Sequence, residues 1–208
     1  MSRIESVLTQ ARSFYDNGDP SHDFVHVERV MANCRRIGAS VGANLELLLP
    51  AAILHDVVNL PKNHPERLQA SRMAAEKSHA ILFSAGYTED EITKIREIIT
   101  EHSYSLGKKP STIESAVLQD ADKLDALGAI GIMRTVTCGA RMGSSYYEPG
   151  EPIAEKRALN DKAFTVDHFF AKLFKLPDLM NTDVGRKEAH ARMSYMRGFL
   201  EQLVSEIS

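Results

Sequence analysis

Residues 45–58 constrain this chain more than any other stretch. The run Leu-Glu-Leu-Leu-Leu-Pro-Ala-Ala-Ile-Leu-His-Asp-Val-Val is apolar almost all the way round, as expected of a helix buried in a core. Its polar residues are Glu46 near the start and, at the end, His55 and Asp56 side by side. An ionised aspartate rarely stays buried unless it is paired or holds a metal, because desolvating a carboxylate is costly. Imidazole nitrogen beside carboxylate oxygen is a good donor pair for a divalent ion. The competing reading is a capping pair where the helix frays. The dipeptide alone does not decide between them.

At 208 residues the chain is long enough for a sizeable core, and one domain spanning residues 1–208 is the natural expectation. Charged residues make up 25% and the net charge is only −3, so neither a nucleic-acid-binding surface nor an acidic tail is implied. Cys34 and Cys138 lie far apart, without the spacing of a zinc ribbon or a redox pair, which fits a reduced chain. The first residues lack the apolar core of a signal peptide, and no apolar run reaches membrane-spanning length. A cytoplasmic protein with no membrane contact is expected, and its oligomeric state stays open.

Helical periodicity recurs along most of the chain. Residues 4–17 carry Val7, Leu8, Ala11, Phe14 and Tyr15 at helical spacing, before Gly18-Asp-Pro20. Ser21 or Asp23 can cap the next helix, which runs to about Val41 with Val27, Val30, Met31, Cys34 and Ile37 as its stripe. His26 borders that stripe. After the buried segment, a loop with two prolines (Pro61 and Pro65) precedes a helix over residues 66–85. Thr88 and Glu91 form a capping-box pattern for another, with Ile92, Ile95, Ile99 and His102 on one face. Residues 112–127 read as helix with Ile113, Val117, Ala121 and Leu124 inward. Periodicity fades over residues 139–160, a length usually reserved for functional or mobile loops. It returns at residues 165–174 and in a long last helix. No alternating strand pattern stands out, so the fold class is all-α, with a metal-binding core at about residues 20–130 and a C-terminal helical extension at about 160–208.

Three helices thus each offer metal-ligand chemistry: His26 from one, His55 and Asp56 from the next, Asp122 from a later one. Two imidazoles and two carboxylates suit Mn²⁺, Fe²⁺, Ni²⁺, Co²⁺ or Zn²⁺, and Mg²⁺ less well. Such an ion can bind a phosphate oxygen and lower the pKa of a bound water.

His26-Val-Glu-Arg-Val30, His55-Asp56 and Gln119-Asp-Ala-Asp-Lys-Leu-Asp-Ala126 resemble the ordered H…HD…D signature of the HD superfamily of metal-dependent phosphohydrolases. Ser21-His-Asp23, Pro61-Lys-Asn-His-Pro-Glu-Arg67, Glu101-His-Ser103, Leu127-Gly-Ala-Ile-Gly-Ile132 and Lys172-Leu-Phe-Lys-Leu176 are similar to one bacterial subfamily of small stand-alone HD proteins, so the resemblance covers roughly the whole chain. It implies an all-α core of at least five helices and one divalent ion, Mn²⁺ or Mg²⁺ in function, held by His26, His55, Asp56 and Asp122. It also implies hydrolysis of phosphate esters or anhydrides, often in nucleotides. Asp56 would both ligate the ion and orient the attacking water.

Several neighbours carry two readings each. His22, one turn before His26, is a rival ligand or a cap. Lys62 and Arg67 frame the loop after Asp56, where a bound phosphate needs compensating charge, although loop cations are usually just solvated. Lys123 either reaches substrate or pairs with Asp120. Asp125 either orients a ligand or faces solvent, and Arg29 reads as a structural ion-pair residue. His102 is either a core histidine or a substrate contact. His79, with His102, would give the extra histidines of a two-metal site and make oxidative di-iron chemistry conceivable; equally it is a helix-border residue. The expected activity is hydrolysis of a nucleotide or other small phosphorylated metabolite, as a pyrophosphohydrolase, nucleotidase or phosphodiesterase. The alternative is a metal- and nucleotide-binding sensor without turnover, since no general acid is evident.

Overall fold

The computed structural model describes residues 1–15, 23–60, 64–103 and 106–207. Among these, nine α-helices and short 3-10 turns make up the regular structure, and the extended pairing is confined to an isolated parallel bridge between Ser145 and Phe164. The protein is all-α, as the periodicity requires. Two compact units divide it, Met1–Asp122 and Lys123–Ser208.

The first unit holds α1 (Arg3–Ala11), a 3-10 turn (Arg12–Tyr15), α2 (Phe24–Val41), α3 (Leu45–Leu54), α4 (Ala70–Ser84), α5 (Glu89–Glu101) and most of α6 (Ile113–Asp125). Helix α3 is its centre and packs against α1, α2, α4 and α5. Leu48, Ala51, Ala52, Ile53 and Leu54 have no exposed surface. Each burial of such a side chain contributes about 1.5–3 kcal/mol. The turn into α3 is fixed locally: Gly42 closes α2 at φ 71°, and the Asn44 side chain accepts the Glu46 amide at 3.0 Å.

Helix α3 ends at Leu54, four residues short of the expected Val58. In a continuing helix the amides of Asp56 and Val57 would bond the carbonyls of Ala52 and Ile53. Side chains occupy both. His55 Nδ1 lies 2.8 Å from the Ala52 carbonyl, and the buried Tyr15 hydroxyl donates to the Ile53 carbonyl at 2.6 Å. The first helix is likewise shorter than its periodicity suggested, because its last turn tightens to 3-10 geometry. Thr88 and Glu91 form the expected capping box on α5. In α6, Val117, Ala121 and Leu124 are buried as expected, but Ile113 is 41% exposed. It is the first residue of the helix, and the face it begins meets the core one turn later.

The second unit contains α7 (Gly128–Arg141), α8 (Asp167–Ala171), 3-10 turns at Leu173–Lys175 and Pro177–Leu179, and α9 (Asp183–Ile207). No helix is assigned from the sequence between residues 127 and 139; α7 fills that stretch, and its buried positions are Gly128, Gly131 and Gly139. The aperiodic stretch 139–160 is not structureless: its first three residues close α7, and the rest is held by specific bonds. The fully buried Asp167 carboxylate accepts both terminal nitrogens of Arg157 and the Asn160 amide, each at 2.6 Å. Burial alone would raise the Asp167 pKa; the Arg157 guanidinium and Asn160 amide instead hold it below the usual carboxylate value.

A Cβ on Gly139 would lie 2.2 Å from Thr165 Oγ1, which is buried and lacks a hydrogen-bond partner among the described residues. Gly139→Ala is therefore expected to destabilise the protein by about 1–3 kcal/mol in urea denaturation. Thr165→Ala removes the obstructing hydroxyl, so the double variant should recover most of that loss.

Candidate metal centre

Three helix ends and one helix interior supply the polar cluster of the first unit. Asp23 caps α2 by accepting the His26 amide at 2.9 Å, which sets His26 in the first turn with its ring fully buried. His55 is also fully buried and directly follows α3, and Asp56 comes next. Donor atoms of His26, His55 and Asp56 all lie within 4.8 Å of one another. Asp122, from α6, brings Oδ1 to 3.6 Å from His26 Nε2. His55 Nε2 stands 3.7 Å from Asp56 Oδ2.

His102 joins the cluster from the end of α5. Its Nε2 is 3.6 Å from Asp56 Oδ1, so the two oxygens of Asp56 face two different imidazoles. Ring centroids of His26 and His102 are 5.4 and 5.0 Å from that of His55, both edge-on. The same device orients His55 and His102. Each ring turns its Nδ1 back onto the carbonyl three residues earlier, Ala52 at 2.8 Å and Ile99 at 2.7 Å. A proton on Nδ1 there leaves the lone pair of a neutral ring on Nε2, aimed into the cluster.

Burial pushes the His55 pKa down to about 4, although Asp56 pulls the other way. His55 is thus neutral at pH 7, and its buried Nε2 has no hydrogen-bond partner among the described residues. A lone pair facing a carboxylate oxygen is repulsive unless a cation or a proton lies between them. Burial would lower His102 as well, but Asp56 and then Asp122 outweigh it and hold its pKa above the ordinary value. Asp122 is displaced downward: burial would raise it, and His55 and His26 win. Nitrogen lone pairs and carboxylate oxygens converging at this spacing fit a divalent transition ion.

The remaining candidates are distributed as follows. Lys62 and His22 lie outside the described residues. The Arg67 guanidinium donates to Asn59 Oδ1 at 2.8 Å and to the Leu60 carbonyl, bracing the segment after Asp56. In the second unit, Lys123 is buried and donates to the Leu179 carbonyl at 2.8 Å. Asp125 is buried and paired with Arg134 rather than facing solvent. His79 sits on α4 with Nε2 3.2 Å from exposed Glu89 and its ring stacked on Phe83, apart from the cluster of His26, His55 and His102. A groove of about 400 Å³ along α4 and α5, lined by Arg72, Glu76, Arg96, Glu97 and Lys108, contains none of the clustered donors.

Two supporting residues were not legible as such in the sequence. Tyr15 read as one more apolar-stripe residue, yet its hydroxyl reaches the end of α3. Gln119, one turn before Asp122, donates to the carbonyls of Glu101 at 2.8 Å and Lys108 at 3.1 Å, tying α6 to the segment that carries His102. Its place in the Gln119–Ala126 motif was the available signal.

Comparison with known proteins agrees with this geometry. Residues 23–127 match the HD domain family. The uncharacterized protein YpgQ of Bacillus subtilis is 31% identical over 211 residues, covering 100% of this chain and 95% of that protein. The crystal structure of B. subtilis YpgQ in complex with ADP superposes with a TM-score of 0.76 at 30% identity, over 98% of this chain and 97% of that one. An HD-superfamily hydrolase from Bacillus thuringiensis gives a TM-score of 0.75 at 32% identity, over 98% and 95%. With half of its length matched by the family and all of it alignable to a small bacterial relative, this chain belongs to the HD domain family.

Proposed function

We propose that the protein is a divalent-metal-dependent phosphohydrolase acting on a nucleotide or another small phosphorylated metabolite. The observation that carries this reading is the buried His55 Nε2, which has no hydrogen-bond partner among the described residues and faces Asp56 at 3.7 Å beside His26 and Asp122. HD domains bind divalent metals, and the ADP complex of YpgQ supports a nucleotide as the ligand class. His26, His55, Asp56 and Asp122 would hold one ion. When bound, that ion supplies Lewis acidity to a phosphate oxygen and acidifies a water.

The chain's own groups divide the other tasks. Asp56 turns Oδ1 toward His102 and Oδ2 toward His55, so its carboxylate can orient a water and accept its proton at Oδ1. His102 would contact the phosphate or hold that proton at Nε2, its Nδ1 being committed to the Ile99 carbonyl. Lys62 and Arg67, after the HD pair in sequence, are the proposed sources of charge for phosphate.

The direct test is a screen of phosphorylated metabolites with Mn²⁺, Mg²⁺, Co²⁺ and Ni²⁺. Phosphate or pyrophosphate release that stops with chelator and returns with metal is the expected result. Tight nucleotide binding without metal-dependent turnover would instead make the protein a sensor. Asp122→Ala should abolish both stoichiometric Mn²⁺ binding and turnover while circular dichroism shows the helical content intact. His102→Gln should retain the ion and lower kcat/KM by about one to two decades, the equivalent of about 1.5–3 kcal/mol for a lost charge-assisted contact. Full activity in either variant would remove that residue from the site.

A further inference from the structure

The break between α3 and the residues after it depends on a side chain that comes from far away in sequence. Tyr15 closes the 3-10 turn after α1, is 2% exposed, and packs its ring edge-on against Phe24 with centroids 6.0 Å apart. A phenylalanine would fill the same apolar space. What the phenol adds is a hydroxyl that donates to the Ile53 carbonyl at 2.6 Å in a fully buried position. That bond fixes the backbone three residues before Asp56.

The bond falls where the helix stops. His55 still has helical angles, φ −59° and ψ −35°, and the Val57 amide takes the Leu54 carbonyl at 3.3 Å rather than that of Ile53, so the α-helical ladder ends here. Without the phenol oxygen, the Ile53 carbonyl is free to take the Val57 amide and extend α3 by a further residue. Extending the helix through Val57 would re-aim Asp56, and its carboxylate would leave the position facing His55 Nε2 and His102 Nε2.

We infer that Tyr15 is a positioning residue for the metal centre: its hydroxyl clamps the turn after His55 and thereby aims the Asp56 carboxylate. The inference rests on the metal-centre reading above. It concerns the geometry of one ligand, not contact with substrate.

Tyr15→Phe deletes one oxygen and keeps the ring. The full-length variant is compared with the parent and with Tyr87→Phe, whose hydroxyl is also buried but lacks a hydrogen-bond partner among the described residues. Mn²⁺ affinity is read by titration calorimetry, and melting temperature is read with and without saturating Mn²⁺. Loss of a group that orients a ligand typically weakens metal affinity 10–100-fold, so Tyr15→Phe should raise the Mn²⁺ Kd at least tenfold. The rise in Tm produced by Mn²⁺ should shrink accordingly, while Tyr87→Phe matches the parent in both. If Tyr15→Phe lowers the metal-free and Mn²⁺-loaded melts equally and leaves Kd unchanged, the hydroxyl is merely structural and the inference fails. A parent protein that binds no Mn²⁺ would overturn the metal-centre reading and this inference together, an outcome distinct from a defect confined to the variant.

Discussion

The bonds that stop α3 at Leu54 govern the chemistry of the first unit. An apolar helix with no exposed surface along its last four residues would, by propensity alone, run on into Asp56 and Val57. Two side-chain contacts prevent it, His55 to the Ala52 carbonyl and Tyr15 to the Ile53 carbonyl. Helix ends leave their last carbonyls unsatisfied, and burying such groups without partners costs about 1–3 kcal/mol each. The contacts therefore do two things together. They satisfy buried acceptors, and they release Asp56 from the helical path so that its carboxylate meets histidines from other helices.

The same economy appears at α5. His102 follows Glu101 as His55 follows Leu54, and its ring docks on the carbonyl three residues back. Each imidazole caps a helix with one nitrogen and points the other into the cluster. Gln119 then fixes the end of α5 from α6, three residues before Asp122. Each donor to the site is therefore anchored by a bond that also completes a helix terminus. Rigid elements meeting end to interior leave little freedom to the donor atoms, which is the condition for a preorganised metal or phosphate site.

Local patterns made much of this visible in the sequence. The capping box at Thr88, the stripe of α2 and the apolar run of α3 are short-range signals, and they sit where periodicity placed them. His55 and Asp56 stood out because a buried helix ends on two polar residues. The missed features depend on contacts made at a distance or on small residues. Helix α7 buries glycines, which carry no hydrophobic signal, and the turns of residues 142–165 are organised by Glu151 and Asp167 through backbone bonds. The early end of α3 needs Tyr15, 38 residues before Ile53 in the chain, and no local pattern announces that hydrogen bond.

Carboxylates elsewhere in the chain provide an internal standard for the cluster. Asp125 and Asp167 are buried, and each is neutralised by a guanidinium at hydrogen-bond distance, Arg134 and Arg157. That is the ordinary way to keep an aspartate in a protein interior, since an uncompensated buried charge is severely destabilising. Asp56 and Asp122 are only partly exposed, yet the groups facing them are imidazole nitrogens at 3.6–3.7 Å. Burial drives His55 toward its neutral form, so it cannot serve as the permanent cation that Arg134 and Arg157 supply. The two arrangements differ in what completes them. An arginine closes a carboxylate site with a charge the chain itself carries, whereas the neutral His55 beside Asp56 turns a lone pair toward a carboxylate, a donor arrangement that a divalent ion from solution can complete.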